Sequence, residues 1–208
     1  MALVKTENTG NVRIFNEFLE AKETFENKTN PVDLRLSALE YIINHKEIFY
    51  TLRMLTEMFN KNDDKDHVFI DYAFANFQIF PKREEDLKLL LDMLKSENAY
   101  LRNATIVFLQ QHGKEAKDFI YSLMKSKDKD IRIFAINILG DVKFEDSIDM
   151  LREFIKNETD INALMTAIDY MGEIGEISDI PLLEEIKNKF NDAYVSFGID
   201  LAIDRIKG

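Results

Sequence analysis

One pattern recurs six times along this chain: an apolar residue, often a basic one after it, a small residue four positions on, and an apolar residue eight positions on. It reads Leu34-Arg35…Ala38…Ile42, Phe69…Ala73…Phe77, Leu101-Arg102…Thr105…Leu109, Ile131-Arg132…Ala135…Leu139, Ala163…Ala167…Met171 and Tyr194…Gly198…Ala202. The anchors Leu34, Phe69, Leu101, Ile131, Ala163 and Tyr194 are separated by 35, 32, 30, 32 and 31 residues. A repeat of that length is one helix pair, which can bury its apolar face only against the next pair. The small residue lets neighbouring second helices approach, and the bulky ones fill the space between layers.

The stretches between these copies carry the first helix of each pair. Leu87, Leu90, Leu91 and Leu94 lie on one helical face, as do Ile148, Leu151, Phe154 and Ile155, and then Ile180, Leu183, Ile186 and Phe190. The three prolines, Pro31, Pro81 and Pro181, stand near predicted helix starts, where a missing N–H is tolerated. Gly113, Gly140, Gly172 and Gly175 fall near the ends of second helices, where left-handed backbone is expected. The spacing predicts first helices near 11–27, 46–60, 83–95, 115–126, 146–156 and 179–190. Their partners are predicted near 31–44, 65–79, 99–112, 129–140, 160–173 and 193–206. The expected fold is all-α, a right-handed superhelical solenoid of about six antiparallel pairs. No linker-like composition interrupts it. A single domain over 1–208 is expected, with divergent repeats over 1–82 and more regular ones over 83–208.

Composition excludes several classes of chemistry. Cysteine is absent, so there is no disulfide framework, thiolate zinc site or thiol nucleophile. The histidines His45, His67 and His112 lie in different repeats and read as helix-end residues. Asn62-Asp63-Asp64-Lys65-Asp66 resembles a calcium loop but lacks its glycine and distal glutamate, so it reads as a polar turn. There is no Gly-rich phosphate cradle and no G-x-S-x-G elbow. No metal and no cofactor is expected, and no catalytic residue stands out. The net charge is -11, and residues 141–208 carry 16 acidic against 7 basic side chains. Phosphate neutralisation dominates nucleic-acid affinity, so this charge argues against that partner. Met1–Gly10 is polar, and no apolar run approaches the roughly 18 residues of a membrane span. The expectation is a cytoplasmic protein without membrane or nucleic-acid partners.

The runs Ala167…Gly172-Glu173-Ile174-Gly175…Ile180-Pro181-Leu182-Leu183 and Ile131-Arg132…Ala135…Leu139-Gly140-Asp141 resemble HEAT-like repeats of the phycobilisome-lyase type. The resemblance covers roughly residues 84–190 and is poor in the Phe-rich first repeats. It implies an armadillo-type superhelix but no single function, because such repeats serve adaptors, lyases, hydroxylases and glycosylases alike. HEAT-type metal hydroxylases hold iron with His-Glu pairs, and none occurs here. HEAT-like DNA glycosylases use a basic groove with aromatic residues, whereas this chain is acidic and has no Trp.

In such an array the second helices line the concave face. The second, third and sixth positions after each anchor then give the candidate partner-binding residues Glu40, Asp71, Tyr72, Ile133, Phe134, Met165, Asp169, Phe197 and Asp200. Aromatic and Met side chains supply contact area, and carboxylates favour a basic partner. The function this implies is a non-catalytic scaffold or adaptor binding a peptide or helix of a protein partner with basic segments. The alternatives are an enzyme or lyase subunit with a small-molecule site in the groove, and a structural subunit of a larger complex. A monomer is expected. The alternative is a homodimer, should the apolar stretch Phe69–Phe80 be a self-association patch rather than core.

Overall fold

A computed structural model describes residues 13–45, 48–59 and 67–208. The polar N-terminus Met1–Gly10 and the acidic segment Asn62–Asp66 lie outside them. Eleven α-helices and one 3-10 turn are present among the described residues, and no strand. By contacts the chain divides into two compact units, one reaching to Phe108 and the other Leu109–Gly208.

The first unit holds α1 (Phe18–Glu26), α2 (Val32–His45), α3 (Ile48–Phe59), α4 (His67–Asn76), α5 (Glu84–Leu94) and the beginning of α6 (Ala99–Met124). Helix α1 packs on α2, α2 on α4, and α3 on both α4 and α5. This is the alternation of first and second helices that the repeat spacing predicts. The first helix is shorter than expected, because Glu17 takes an extended conformation and the helix starts after it. The core here is aromatic. Phe25 meets Phe69 edge-on at 5.2 Å, and Phe108 stacks on Phe74 at 4.6 Å and on Phe80 at 6.0 Å. Phe69, Phe74, Phe77 and Phe80 are all buried, so the Phe-rich stretch is core.

The second unit holds the rest of α6, α7 (Lys129–Val142), α8 (Ser147–Asn157), α9 (Ile161–Ile174), α10 (Ile180–Phe190) and α11 (Ala193–Lys207). Helix α9 packs on α7, α8 and α11, while α10 packs on α8 and α11. Helix α6 is sharply broken at Gly113, with φ 23° and ψ −94°. Only glycine visits such backbone easily, and here it joins the second helix of one pair to the first of the next without a loop. The other helix-end glycines differ from expectation. Left-handed caps fall instead on Lys143 and Asn191. Gly140 and Gly172 are helical, and they serve close packing against Tyr170 and Ala202.

Four side-chain caps set the rotation of the regular second helices. Asn98, Asp160 and Asp192 each accept two backbone N–H groups of the first helical turn and Asp128 accepts one, at 2.9 to 3.3 Å. Such caps satisfy N–H groups that the helix itself leaves without partners. Three residues after each cap stands a fully or almost fully buried side chain: Leu101, Ile131, Ala163 and Val195. The last anchor is therefore Val195, not Tyr194, whose side chain is 59% exposed.

In the three pairs that carry it, the basic residue of the pattern closes the turn between the two helices. Arg35 donates to the Phe25 carbonyl at 2.7 Å, Arg102 to that of Ser96 at 2.6 Å, and Arg132 to that of Ser126 at 2.9 Å. These carbonyls lie at the C-terminal ends of first helices, where acceptors lack helical partners and the dipole favours a cation. Arg132 also grips Glu158 through two bonds of 2.6 and 2.8 Å, and Arg152 grips Asp179 at 2.6 and 3.2 Å. Both carboxylates are almost completely buried.

Burial pushes the Glu158 and Asp179 carboxyls up. Their arginines and the backbone N–H groups of Thr159, Asp160 and Glu176 outweigh it and hold both below the usual range. A carboxyl with a depressed folded pKa contributes stability that is complete above its unfolded value, near about 4. That stability is lost as pH falls through the folded value. Urea midpoints are accordingly expected to hold from pH 7 to about 5 and to fall steeply below about 4. Arg132→Ala leaves Glu158 buried without its cation, and the expected loss at pH 7 is about 3 kcal/mol by urea unfolding. A loss below about 0.5 kcal/mol would show that the clasp contributes little.

Candidate functional site

On each regular second helix, the positions two, three and six residues beyond the buried anchor stay accessible to solvent. In the second unit these are Ile133 and Phe134, both half-buried, and Asn137 on α7, then Met165, Thr166 and Asp169 on α9. Counting from Val195, α11 contributes Phe197, Gly198 and Leu201. Phe197 is 63% exposed and Leu201 44%, so neither belongs to the core.

The structure brings Met165, Asp169 and Phe197 together in a groove of about 470 Å³ between α9 and α11, which Tyr194, Gly198 and Leu201 also line. Two features build it. Gly172 lies so close to α11 that a Cβ added there would meet the Ala202 Cα at 3.0 Å and its Cβ at 3.2 Å, which sets the helices side by side. Gly198 has no side chain, and the Met165 thioether lies across the gap this leaves. The contacts Met165 to Gly198 and Asp169 to Arg205 advance together along both helices, so α9 and α11 run parallel.

Asp200 does not join the groove. It points toward α10 and accepts from Lys187. The one-residue shift of register explains this, because Asp200 stands five rather than six positions past the true anchor. Leu201 takes the place predicted for it. The sequence signal for the correct register was the cap series Asn98, Asp128, Asp160 and Asp192, which repeats at 30, 32 and 32 residues. Asp169 pairs with Arg205 at 2.6 Å on the exposed rim. Ile133 and Phe134 lie on α7, outside this groove.

In the first unit the predicted residues make two separate polar contacts. Tyr72 is half-buried, and burial together with the Glu40 carboxylate, which accepts from its hydroxyl, pushes its pKa up to about 12. Asp71 accepts from the Tyr100 hydroxyl, and the His67 ring stacks on Tyr100 at 3.6 Å. Burial and Asp71 raise the Tyr100 pKa as well. All four predicted carboxylates thus have partners within the chain: Glu40, Asp71, Asp169 and Asp200 meet Tyr72, Tyr100, Arg205 and Lys187.

A second hollow, of about 540 Å³, opens at the turn edge between α6 and α8. Its apolar floor is Met124, Met150 and Phe154. Lys125 lies 4.0 Å over the Tyr121 ring and 3.4 Å from Glu153, which also accepts from the Tyr121 hydroxyl. Arg132 is committed to Glu158 and Lys125 to Glu153, both carboxylates of the same unit. No group of three or more His, Asp or Glu side chains among the described residues is placed to hold a metal ion. No described helix is long and apolar enough to cross a membrane.

The caps, the parallel second helices and the alternation of layers define an all-α solenoid of stacked helix pairs. The sequence profile of HEAT repeats matches residues 116–198, from the later half of α6 into α11. Residues 116–198 therefore carry HEAT-like repeats, and the groove between α9 and α11 lies at the end of that segment. Comparison with curated protein sequences returns no match.

Two glycines separate scaffold from surface in a testable way. Gly172→Ala sets a methyl against backbone that cannot yield, and the expected loss of stability is about 1–3 kcal/mol. Gly198→Ala meets only the flexible end of Met165, and the gain in helix propensity should leave stability unchanged or raise it by about 0.5 kcal/mol. Thermal midpoints followed by circular dichroism check both. Equal losses at the two sites would contradict the assignment of Gly198 to the groove surface.

Proposed function

We propose that this chain is a non-catalytic protein-interaction scaffold that recognises a peptide or helix of a protein partner on its second-helix face. The groove between α9 and α11 is its principal contact. One observation carries the reading: Tyr194, Phe197 and Leu201 are large apolar side chains held well out in solvent along one groove. A contiguous exposed apolar surface of this kind marks a binding site more often than isolated apolar residues do. The groove is open and mostly apolar at its centre, which suits side-chain anchors better than a reaction needing convergent acid and base groups.

Three properties of the groove favour recognition. Its walls stand on helices fixed by caps and by the close approach at Gly172, so little conformational freedom is lost on binding. Met165 supplies an adaptable floor. Aromatic side chains supply area at low entropic cost. HEAT repeats commonly serve as interaction scaffolds, which agrees with this reading.

The test is binding of peptides selected from a random display library on the immobilised full chain. Phe197→Asp/Leu201→Asp, with helicity verified by circular dichroism, is expected to weaken their binding at least about tenfold. Unchanged affinity would place recognition elsewhere and overturn the proposal.

A further inference from the structure

The groove between α9 and α11 also carries information about the chemistry of its occupant. Resting on the reading of this groove as a docking surface, we infer that it takes a cationic amphipathic segment of a protein partner. One large apolar side chain enters over Gly198, and a Lys or Arg lies about one helical turn further toward the C-terminal end of α9.

The apolar half of the inference follows from Gly198. The Met165 methyl occupies the space where any other residue on α11 would place its Cβ. Ile168 is fully buried beneath, and Phe197 and Leu201 stand on the α11 side. Methionine is unbranched and easily rearranged, so a partner's Phe or Leu can push the thioether aside and take its place. No rigid atom blocks that exchange.

Charge complementarity supplies the other half. Asp169 is the sole charged side chain lining the groove. Helix α9 carries Glu173 one turn further on and no Lys or Arg anywhere along its length. Its last turn is therefore uncompensated on the helix itself, where the macrodipole adds further negative potential. Arg205 offsets part of this, but its pair with Asp169 is solvent-exposed on both sides, at 50% and 68%, and so exchanges readily. The wider field has the same sign, with 16 acidic and 7 basic residues over 141–208. A cationic segment is steered toward this edge, and an acidic one is repelled.

Spacing makes the inference sharper. Met165 and Asp169 are four residues apart on α9, about 6 Å along its axis. A helical partner running along the groove then places its basic residue three or four positions from the apolar anchor. An extended partner, rising about 3.3 Å per residue, places it two positions away.

The experiment sequences the peptides enriched from a random library on the full chain and measures their affinities by fluorescence anisotropy. The expected peptides carry a net positive charge and an aromatic or aliphatic residue two to four positions from Lys or Arg. Asp169→Asn should weaken them about fivefold at low salt, and the difference should shrink in 0.5 M salt, about where screening confines charge effects to a few ångströms. Gly198→Ala should weaken them about tenfold without loss of thermal stability. Neutral or acidic peptides that still depend on Phe197 and Leu201 would overturn the cationic-partner inference and leave the docking groove standing. Failure to enrich any peptide, or binding indifferent to Phe197→Asp/Leu201→Asp, would overturn the groove itself.

Discussion

The rotation of each second helix about its own axis is the constraint on which this structure turns. In the regular repeats an Asx side chain closes the first turn and stands three residues ahead of the buried anchor. Once that rotation is fixed, every other position follows from the helical period. The anchor and the residues four and eight beyond it face the core, and those two, three and six beyond it face solvent. A cap that satisfies backbone N–H groups thus also decides which side chains stay exposed. This links hydrogen bonding at a helix end to the surface that the helix presents.

Cohesion within the units draws on two different chemistries. The first unit relies on aromatic rings, with Phe25 against Phe69, Phe74 against Phe108, and Arg35 lying 4.2 Å over Phe69. The second relies on small residues at helix crossings and on arginine clasps at the turns. Ala135 and Ala167 are fully buried there, and Glu158 and Asp179 are held by Arg132 and Arg152. Buried ion pairs add less net stability than their geometry suggests, because desolvation offsets much of the attraction. Their better-founded role here is positional. Each carboxylate also accepts backbone N–H groups, so a clasp holds the turn and the following helix in one arrangement.

Much of the architecture was legible in the chain because the repeat period and the apolar faces are local properties. The predicted second helices 99–112, 129–140 and 160–173 lie within one to two residues of the observed boundaries. The candidate site was less legible. Met165, Asp169 and Phe197 do share a groove, whereas Asp200 turns to Lys187 and Leu201 enters instead. The error arose where the repeat had drifted: Tyr194, Gly198 and Ala202 imitate the anchor pattern one residue out of register. On a helix a single residue is about 100° of rotation, enough to move a side chain from the groove to its flank. The Asp192 cap carried the correct register, and it agrees with the competing apolar series Val195, Ile199 and Ile203, all buried.

The sequence by itself determined the helix pairs, their period and the burial of their apolar faces, because these follow from periodicity that each segment carries within itself. Only the tertiary structure decided what the functional groups do. Whether a carboxylate is available to a partner depends on which cation or hydroxyl the neighbouring helix brings to it, as Arg205 reaches Asp169 and Tyr100 reaches Asp71. Whether a glycine is a hinge, a spacer or a gap depends likewise on what packs against it. Gly113, Gly172 and Gly198 fill those three roles in turn. Such contacts join residues some 30 positions apart in the chain, and no local pattern encodes which atoms will meet.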